Sequence, residues 1–311
     1  MVPPATFTSY YGRPVVKPSP WHADIPAYLF LGGLAGASSM LGAGADLTGR
    51  PALRRTARIG ALGAITVSFA ALVHDLGRPE RFVNMLRVAK PTSPMSVGTW
   101  LLTAYAPLAG VAAVDEMAGI APTLLRRLAR PFRPLGTPAG LAAAAVGAGV
   151  ASCTAVLLAD TATPTWHAAH RELPFVFVSS AATAAGGLGM IGAPVEEAGP
   201  ARLFAAGGAI AELVMERRMD DVMGMIAEPL HAGRAGQLLR ASRALTAVGA
   251  LGAVTIGRRS RAAACLSGMA LLAGSACTRF GIFEGGQVSA TDPRYTIVPQ
   301  RQRLAARAMA R

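Results

Sequence analysis

The sequence predicts an all-α, polytopic membrane protein of about eight transmembrane helices, and three observations carry that prediction. Apolar residues make up 52% of the 311 and charged residues only 15%, against roughly 25% charged in soluble domains. The mean hydropathy is +0.40. The apolar residues also fall in long blocks, and blocks of about 18 to 25 residues are the length that crosses a bilayer core.

Taken in order, the chain opens with an extramembrane segment, 1–25. Its first part, MVPPATFTSYYGRPVVKPSP, has no apolar h-region and does not read as a cleaved signal, so the first apolar block is expected to stay as an anchor. The transmembrane domain spans 26–280. Pro26–Ala45, Val97–Val114, Pro138–Ala159, Leu173–Gly192 and Ala262–Thr278 are clear blocks, and Ile59–Val73 extends to Leu76. Leu203–Met215, which carries Glu212, and Ala244–Gly257, which follows QLLRASR, reach about 20 residues only with flanking polar side chains that snorkel. Gly and Ala dominate these blocks, as in LGGLAGASSMLGAGA, and small residues let helices approach closely in lipid. The polar tail 281–311 is expected outside the membrane, as part of a docking surface with the ERRMDDVMGMIAEPLHAGRAG connection.

The net charge of +13 is carried by arginine, with Lys only at Lys17 and Lys90. The arginines cluster between apolar blocks, which fits lipid headgroups and the positive-inside bias and not nucleic acid. An even number of spans puts both termini on one side. The connections RPALRRTAR, LLRRLARPFRP and RRSR are then cytoplasmic, with PVEEAGPAR the acidic exception. The termini and the connections GRPERFVNMLRVAKPTSPMS and TATPTWHAAHRE fall on the extracytoplasmic side, although the basic end RQRLAARAMAR opposes that assignment. RPERFVNMLRV, with its apolar residues on one helical face, and PTWHAAHREL read as helices lying along the membrane surface.

The chemistry follows from what is scarce. Of five histidines, His22, His74, His167, His170 and His231, only His74 lies in a span, and at its end. Paired axial haem ligands are therefore not available. Cys153, Cys265 and Cys277 sit singly in apolar blocks and offer neither a disulfide framework nor an iron–sulfur motif. No haem, iron–sulfur cluster or flavin is expected in this chain. The ionisable groups at membrane depth are His74, Asp75 and Glu212, and such groups are costly in lipid. His74 and Asp75 are either a plain helix end or a proton-exchange pair. Arg78, three residues on, either answers the helix dipole or pairs with Asp75. Glu212 is a buried hydrogen-bonder or part of a proton path. Trp100 and Tyr105 are core or belt aromatics, or stack on a flat ring. His22 and Tyr28 stand where the first span begins, on the side where the second ends. Two histidines, a carboxylate and aromatics at one membrane face suit a headgroup that exchanges two protons with two electrons, a quinone.

WHADIPAYLFLGGLAGAS followed by HDLGRPERFVNMLRVAKPTSPMSVGTW resembles the NrfD-type membrane subunits of polysulfide reductase and related complexes; the strong match covers Trp21 to Tyr105. The resemblance implies two four-helix bundles and no bound prosthetic group. It implies a quinone site near the face where a ferredoxin-like 4Fe-4S subunit docks and links to a molybdopterin catalytic subunit. Menaquinone or ubiquinone would be an exchangeable substrate, and the location the cell (plasma or inner) membrane. His22 would neighbour the quinone, and Asp75 and Arg78 would shape the site or its proton exit. The competing functions are a secondary transporter, which needs midplane polar residues and broken helices, and a membrane anchor without quinone chemistry.

Overall fold

The structure is a computed structural model that describes residues 14–119 and 130–309. The first residues of the N-terminal segment, and 124–129 of the expected arginine-dense connection, lie outside the described residues. In chain order the α-helices are α1 (Asp24–Leu47), α2 (Pro51–Asp75), α3 (Arg81–Met85), α4 (Pro94–Ala118), α5 (Gly136–Ala159), α6 (Pro164–Ala168), α7 (Leu173–Gly192), α8 (Gly199–Met223), α9 (Glu228–His231), α10 (Gly233–Val254), α11 (Arg261–Thr291) and α12 (Arg294–Met309). Among the described residues there is no strand. Helix starts follow local chemistry. Pro occupies the first turn of α2 and α4, where its missing N–H costs nothing. Ser93 caps α4 and Ser260 caps α11 through their hydroxyls. The N-terminus of α2 is capped from across the fold, where Glu197 accepts from the Ala52 and Leu53 N–H groups at 2.7 and 3.2 Å.

Helices α1, α2, α4 and α5 pack as one four-helix bundle and α7, α8, α10 and α11 as a second. The bundles meet along α1 and α7, with α5, α2 and α11 adding to the seam. In the apolar window of α1, 78% of the residues are buried, against 33% in α2, so α1 is the axial helix of its bundle. Glycine permits this closeness. A Cβ on Gly36 of α1 would strike the Gly147 carbonyl of α5, and one on Gly187 of α7 would strike Gly268 of α11. Backbones in such contact gain dispersion energy that lipid cannot replace. Tyr105 ties α4 to α1: its hydroxyl donates to the Ala35 carbonyl at 2.7 Å and lies 2.7 Å from the Ser39 hydroxyl. Tyr105→Phe is expected to cost about 1 kcal/mol, read as a lower unfolding midpoint in detergent, with no loss of helicity.

Among the described residues six helices are long and apolar enough to cross a membrane: α1, α2, α4, α5 together with the turn before it, α7 and α11. Helices α8 and α10 have 25 and 22 residues, about 37 and 33 Å at 1.5 Å per residue, so they are long enough but too polar for that class. Expected from the apolar block Ala244–Gly257, α10 instead runs from Gly233 to Val254 and breaks at Thr255. The reason is Arg243, whose charge is met inside the bundle by Glu216 and Asp220 of α8, so the buried stretch is not the most apolar one. The boundary expected at residue 280 falls inside α11, which continues to Thr291. There Gly285 and Gly286 leave room for Leu230 and for the Trp166 indole. The PTWHAAHREL segment accordingly does not lie flat on the surface. Trp166 is fully buried, donates to the Ile282 carbonyl at 2.9 Å and stacks between Trp21 and Phe283.

Candidate functional site

The helix order places the beginnings of α1, α4, α7 and α10 and the ends of α2, α5, α8 and α11 at one face, which also carries residues 14–23 and α12. This terminal face is knitted by Gln287, whose amide donates to the Ser19 and Trp21 carbonyls at 3.2 Å each. The other, arginine-rich face holds the 48–50, 193–198 and 255–260 connections.

At the terminal face α1, α2 and α4 enclose a small cavity. Its walls are Trp21, Ile25 and Tyr28 from the N-terminal side, Leu72, Asp75 and Leu76 from the end of α2, Met95, Gly98, Thr99 and Leu102 from α4, Met85 of α3 and Leu157 of α5. About 70 Å³ is open, too tight for a substituted ring as it stands, and the pliable part of the wall is Met85 and Met95. Asp75 is the carboxylate on this wall. It accepts from the His22 backbone N–H at 3.4 Å. His74, 80% exposed, lies at the rim with its Nδ1 2.9 Å from Asp24. A cavity carboxylate beside an exposed His–Asp pair gives protons a short way between an apolar pocket and water.

The structure brings together His22, Tyr28, His74 and Asp75 and parts the remaining candidates from them. Arg78 makes no ion pair with Asp75 among the described residues. The helix stops at Asp75 and Gly77, at φ +66°, turns the chain away, so the three-residue helical spacing is lost. Trp100 is 43% exposed and faces outward, its indole donating to the Val88 carbonyl at 3.3 Å; it holds the α3 connection to α4 and stacks on nothing in the cavity. Tyr105 is the α1–α4 tie, deeper than the cavity. Glu212 belongs to the second bundle.

That second bundle contains a polar column that single-sequence reading saw only at Glu212. Arg279 is fully buried, lies 4.0 Å over the Phe177 ring and donates to the Phe177 carbonyl at 2.6 Å. The Thr278 hydroxyl donates to Glu212 at 2.8 Å. Glu216, one turn on, accepts from Arg243 at 2.8 Å, Arg243 also reaches Asp220 at 3.0 Å, and Asp220 lies 3.4 Å from His231 at the surface. One oxygen each of Glu212 and Glu216 and two nitrogens of Arg279 have no hydrogen-bond partner. Toward the arginine-rich face the column gives way to packed Met190, Ala201, Ala205 and Leu271. ERRMDD was legible as an extramembrane connection only; its placement in α8 follows from Arg243, twenty-odd residues away, whose pairing no local pattern reveals.

A third cluster also escaped the sequence reading. Arg54 and Arg58, expected in a cytoplasmic connection, lie in α2. Arg58, 3% exposed, joins Asp46 of α1 at 2.6 Å and Glu116 of α4 at 3.0 Å; Arg54 joins the same two carboxylates at 2.8 and 2.5 Å.

Residues 15–195 match the family model described as polysulphide reductase, NrfD. No curated protein matches the chain. The match covers the whole first bundle, the cavity and α7 of the second, which is more than half of the sequence, and the chain belongs to the NrfD polysulphide reductase family of membrane subunits.

Proposed function

We propose that the chain is the quinone-reacting membrane subunit of a multi-subunit oxidoreductase. It exchanges electrons between menaquinone or ubiquinone and a docked ferredoxin-like 4Fe-4S subunit, which passes them to or from a molybdopterin catalytic subunit. The observation that carries this reading is the apolar cavity with Asp75 on its wall and the His74–Asp24 pair at its rim. Oxidation of one quinol releases two electrons and two protons. The electrons leave to the docked cluster, and Asp75 accepts the protons of the two ring hydroxyls in turn, giving each up to water at the terminal face before taking the next. Trp21 and Tyr28 bound the ring position. Met85 and Met95 move aside to admit the ring.

The docking surface in this reading is the terminal face. There α12 is held by Arg294, which reaches Glu228 at 2.6 Å and Asp292 at 3.2 Å. The arginine-rich face is cytoplasmic by the positive-inside bias, and the termini are extracytoplasmic in the cell membrane. Helices α8 and α10 cross the bilayer with Glu212, Glu216, Asp220 and Arg243 turned into the bundle. Glu212 and Glu216 then form a proton-transfer column that opens on the terminal face through Asp220 and His231.

A photoreactive quinone tests the site. Irradiation of the assembled complex is expected to label peptides covering residues 21–28, 72–85 and 95–102, with protection by excess unlabelled quinone. Labelling confined to outward-facing helix surfaces, without protection, would leave the chain as an anchor only.

A further inference from the structure

The arginine-rich face carries guanidinium groups that the functional reading leaves unused. Arg50 closes the α1–α2 turn, Arg202 stands in the first turn of α8, and Arg258 and Arg259 lie in the connection before α11. These three chain segments meet over one apolar cluster, built from Leu41, Ala45 and Leu53 below the first, Ala198 and Ala201 below the second, and Ala253 below the third. Arg202 sits in the repulsive field of both Arg258 and Arg50. Like charges brought together on a rigid scaffold cost free energy unless an anion answers them.

No carboxylate does so. Among the described residues none of Arg50, Arg202, Arg258 and Arg259 forms an ion pair. Glu197, in the connection before α8, is committed to the α2 N-terminus, Asp46 is committed to Arg54 and Arg58, and Glu196 makes no ion pair among the described residues. The contrast with Arg261 is instructive: it turns inward and donates to the Met190, Ile191 and Ala193 carbonyls. Arg202 spends one nitrogen on the Val195 carbonyl at 2.9 Å, and the rest of its fork is free.

The surroundings are amphiphilic. A groove of about 750 Å³ runs along Val254, Thr255, Ile256, Arg258 and Arg259. Large apolar side chains flank the arginines in the chain and stand outward: Leu47 and Leu203 are 76% and 75% exposed, Leu251 and Ile256 64% and 65%. A ligand for this place needs an anionic, multidentate head and an apolar body that continues into the bilayer. Phosphate oxygens match the guanidinium fork.

We propose that this convergence is a binding site for an anionic phospholipid, its phosphate held between Arg202, Arg258 and Arg50 and its acyl chains lying against Leu203, Leu251 and Ile256. The lipid neutralises the clustered charge and closes the seam between the two bundles at this face.

The test uses the full chain purified in a mild non-ionic detergent and titrated with phosphatidylglycerol or phosphatidylcholine by native mass spectrometry. Phosphatidylglycerol is expected to be retained and phosphatidylcholine lost. Arg202→Gln with Arg258→Gln should weaken phosphatidylglycerol binding about tenfold or more. The control pair Arg301→Gln with Arg303→Gln, which removes the same charge from exposed α12, should leave it unchanged. Equal weakening by both pairs would reduce the effect to net charge and overturn the site. Full displacement of the lipid by millimolar inorganic phosphate would assign the arginines to a free anion and overturn the lipid. Should the Gln pair fail to fold, Arg202→Lys with Arg258→Lys keeps the charge and removes the fork; binding unchanged from the native chain would then exclude bidentate phosphate recognition.

Discussion

Asp75→Asn in the assembled complex is expected to slow quinol oxidation about a hundredfold, within the range a positioned general base contributes. The expectation follows from where Asp75 stands. It is the carboxylate on the cavity wall, at the last residue of α2, and its oxygen is oriented by the His22 N–H. Asn keeps that hydrogen bond and the shape of the wall but cannot take a proton. Binding of a quinone analogue should therefore survive while turnover falls, a drop in kcat with KM little changed. Asp24→Asn, which alters only the exposed partner of His74, should cost far less. A near-native rate in Asp75→Asn would remove Asp75 from the reaction.

Arg58→Ala is expected to destabilise the first bundle by about 3–5 kcal/mol, the usual cost of breaking a buried ion pair from one side. Arg58 is 3% exposed and bridges α1 to α4 through Asp46 and Glu116, so its loss strands two carboxylates in a place water hardly reaches. Arg54 compensates only in part, since its own nitrogens already engage the same acids. Arg55→Ala supplies the contrast. That side chain is 43% exposed and its nearest carboxylate oxygen is 3.9 Å away, so the change should stay within about 0.5 kcal/mol. Denaturant or thermal unfolding in detergent reads both, and similar losses for the two would show that the quartet is not what holds these helices.

The helical layout was legible because lipid imposes length and apolarity on each span independently. Pro26–Ala45 and Leu173–Gly192 could be read without knowing their neighbours, and α1 and α7 follow them closely. Legibility failed where a side chain is buried through a partner distant in sequence. Arg58 looked like a headgroup arginine because Glu116 answers it from another helix. ERRMDD looked like a connection because Arg243 is what buries Glu216. Trp166 looked interfacial because only Gly286, far along the chain, shows that space was left for an indole. The site was legible in the same uneven way. His22, Tyr28, His74 and Asp75 are brought together by the antiparallel turn of α1 and α2, which the helix count alone dictates. Trp100 and Tyr105 lie on α4, where the rotation of the helix decides what they face, and no apolar pattern in that helix fixes its rotation.

The close glycine contact of Gly36 with Gly147 bears on how the molecule is made. Helix α2 covers much of α1 and follows it directly in the chain, but the rest of the surface that encloses α1 belongs to α5 and α7, which are synthesised much later. Until then its small-residue groove must face lipid or the insertion machinery, poorly filled by either. Assembly of the first bundle therefore waits on α5, and a chain cut short after α4 would expose that groove and invite quality-control proteolysis, however well its individual spans had entered the bilayer.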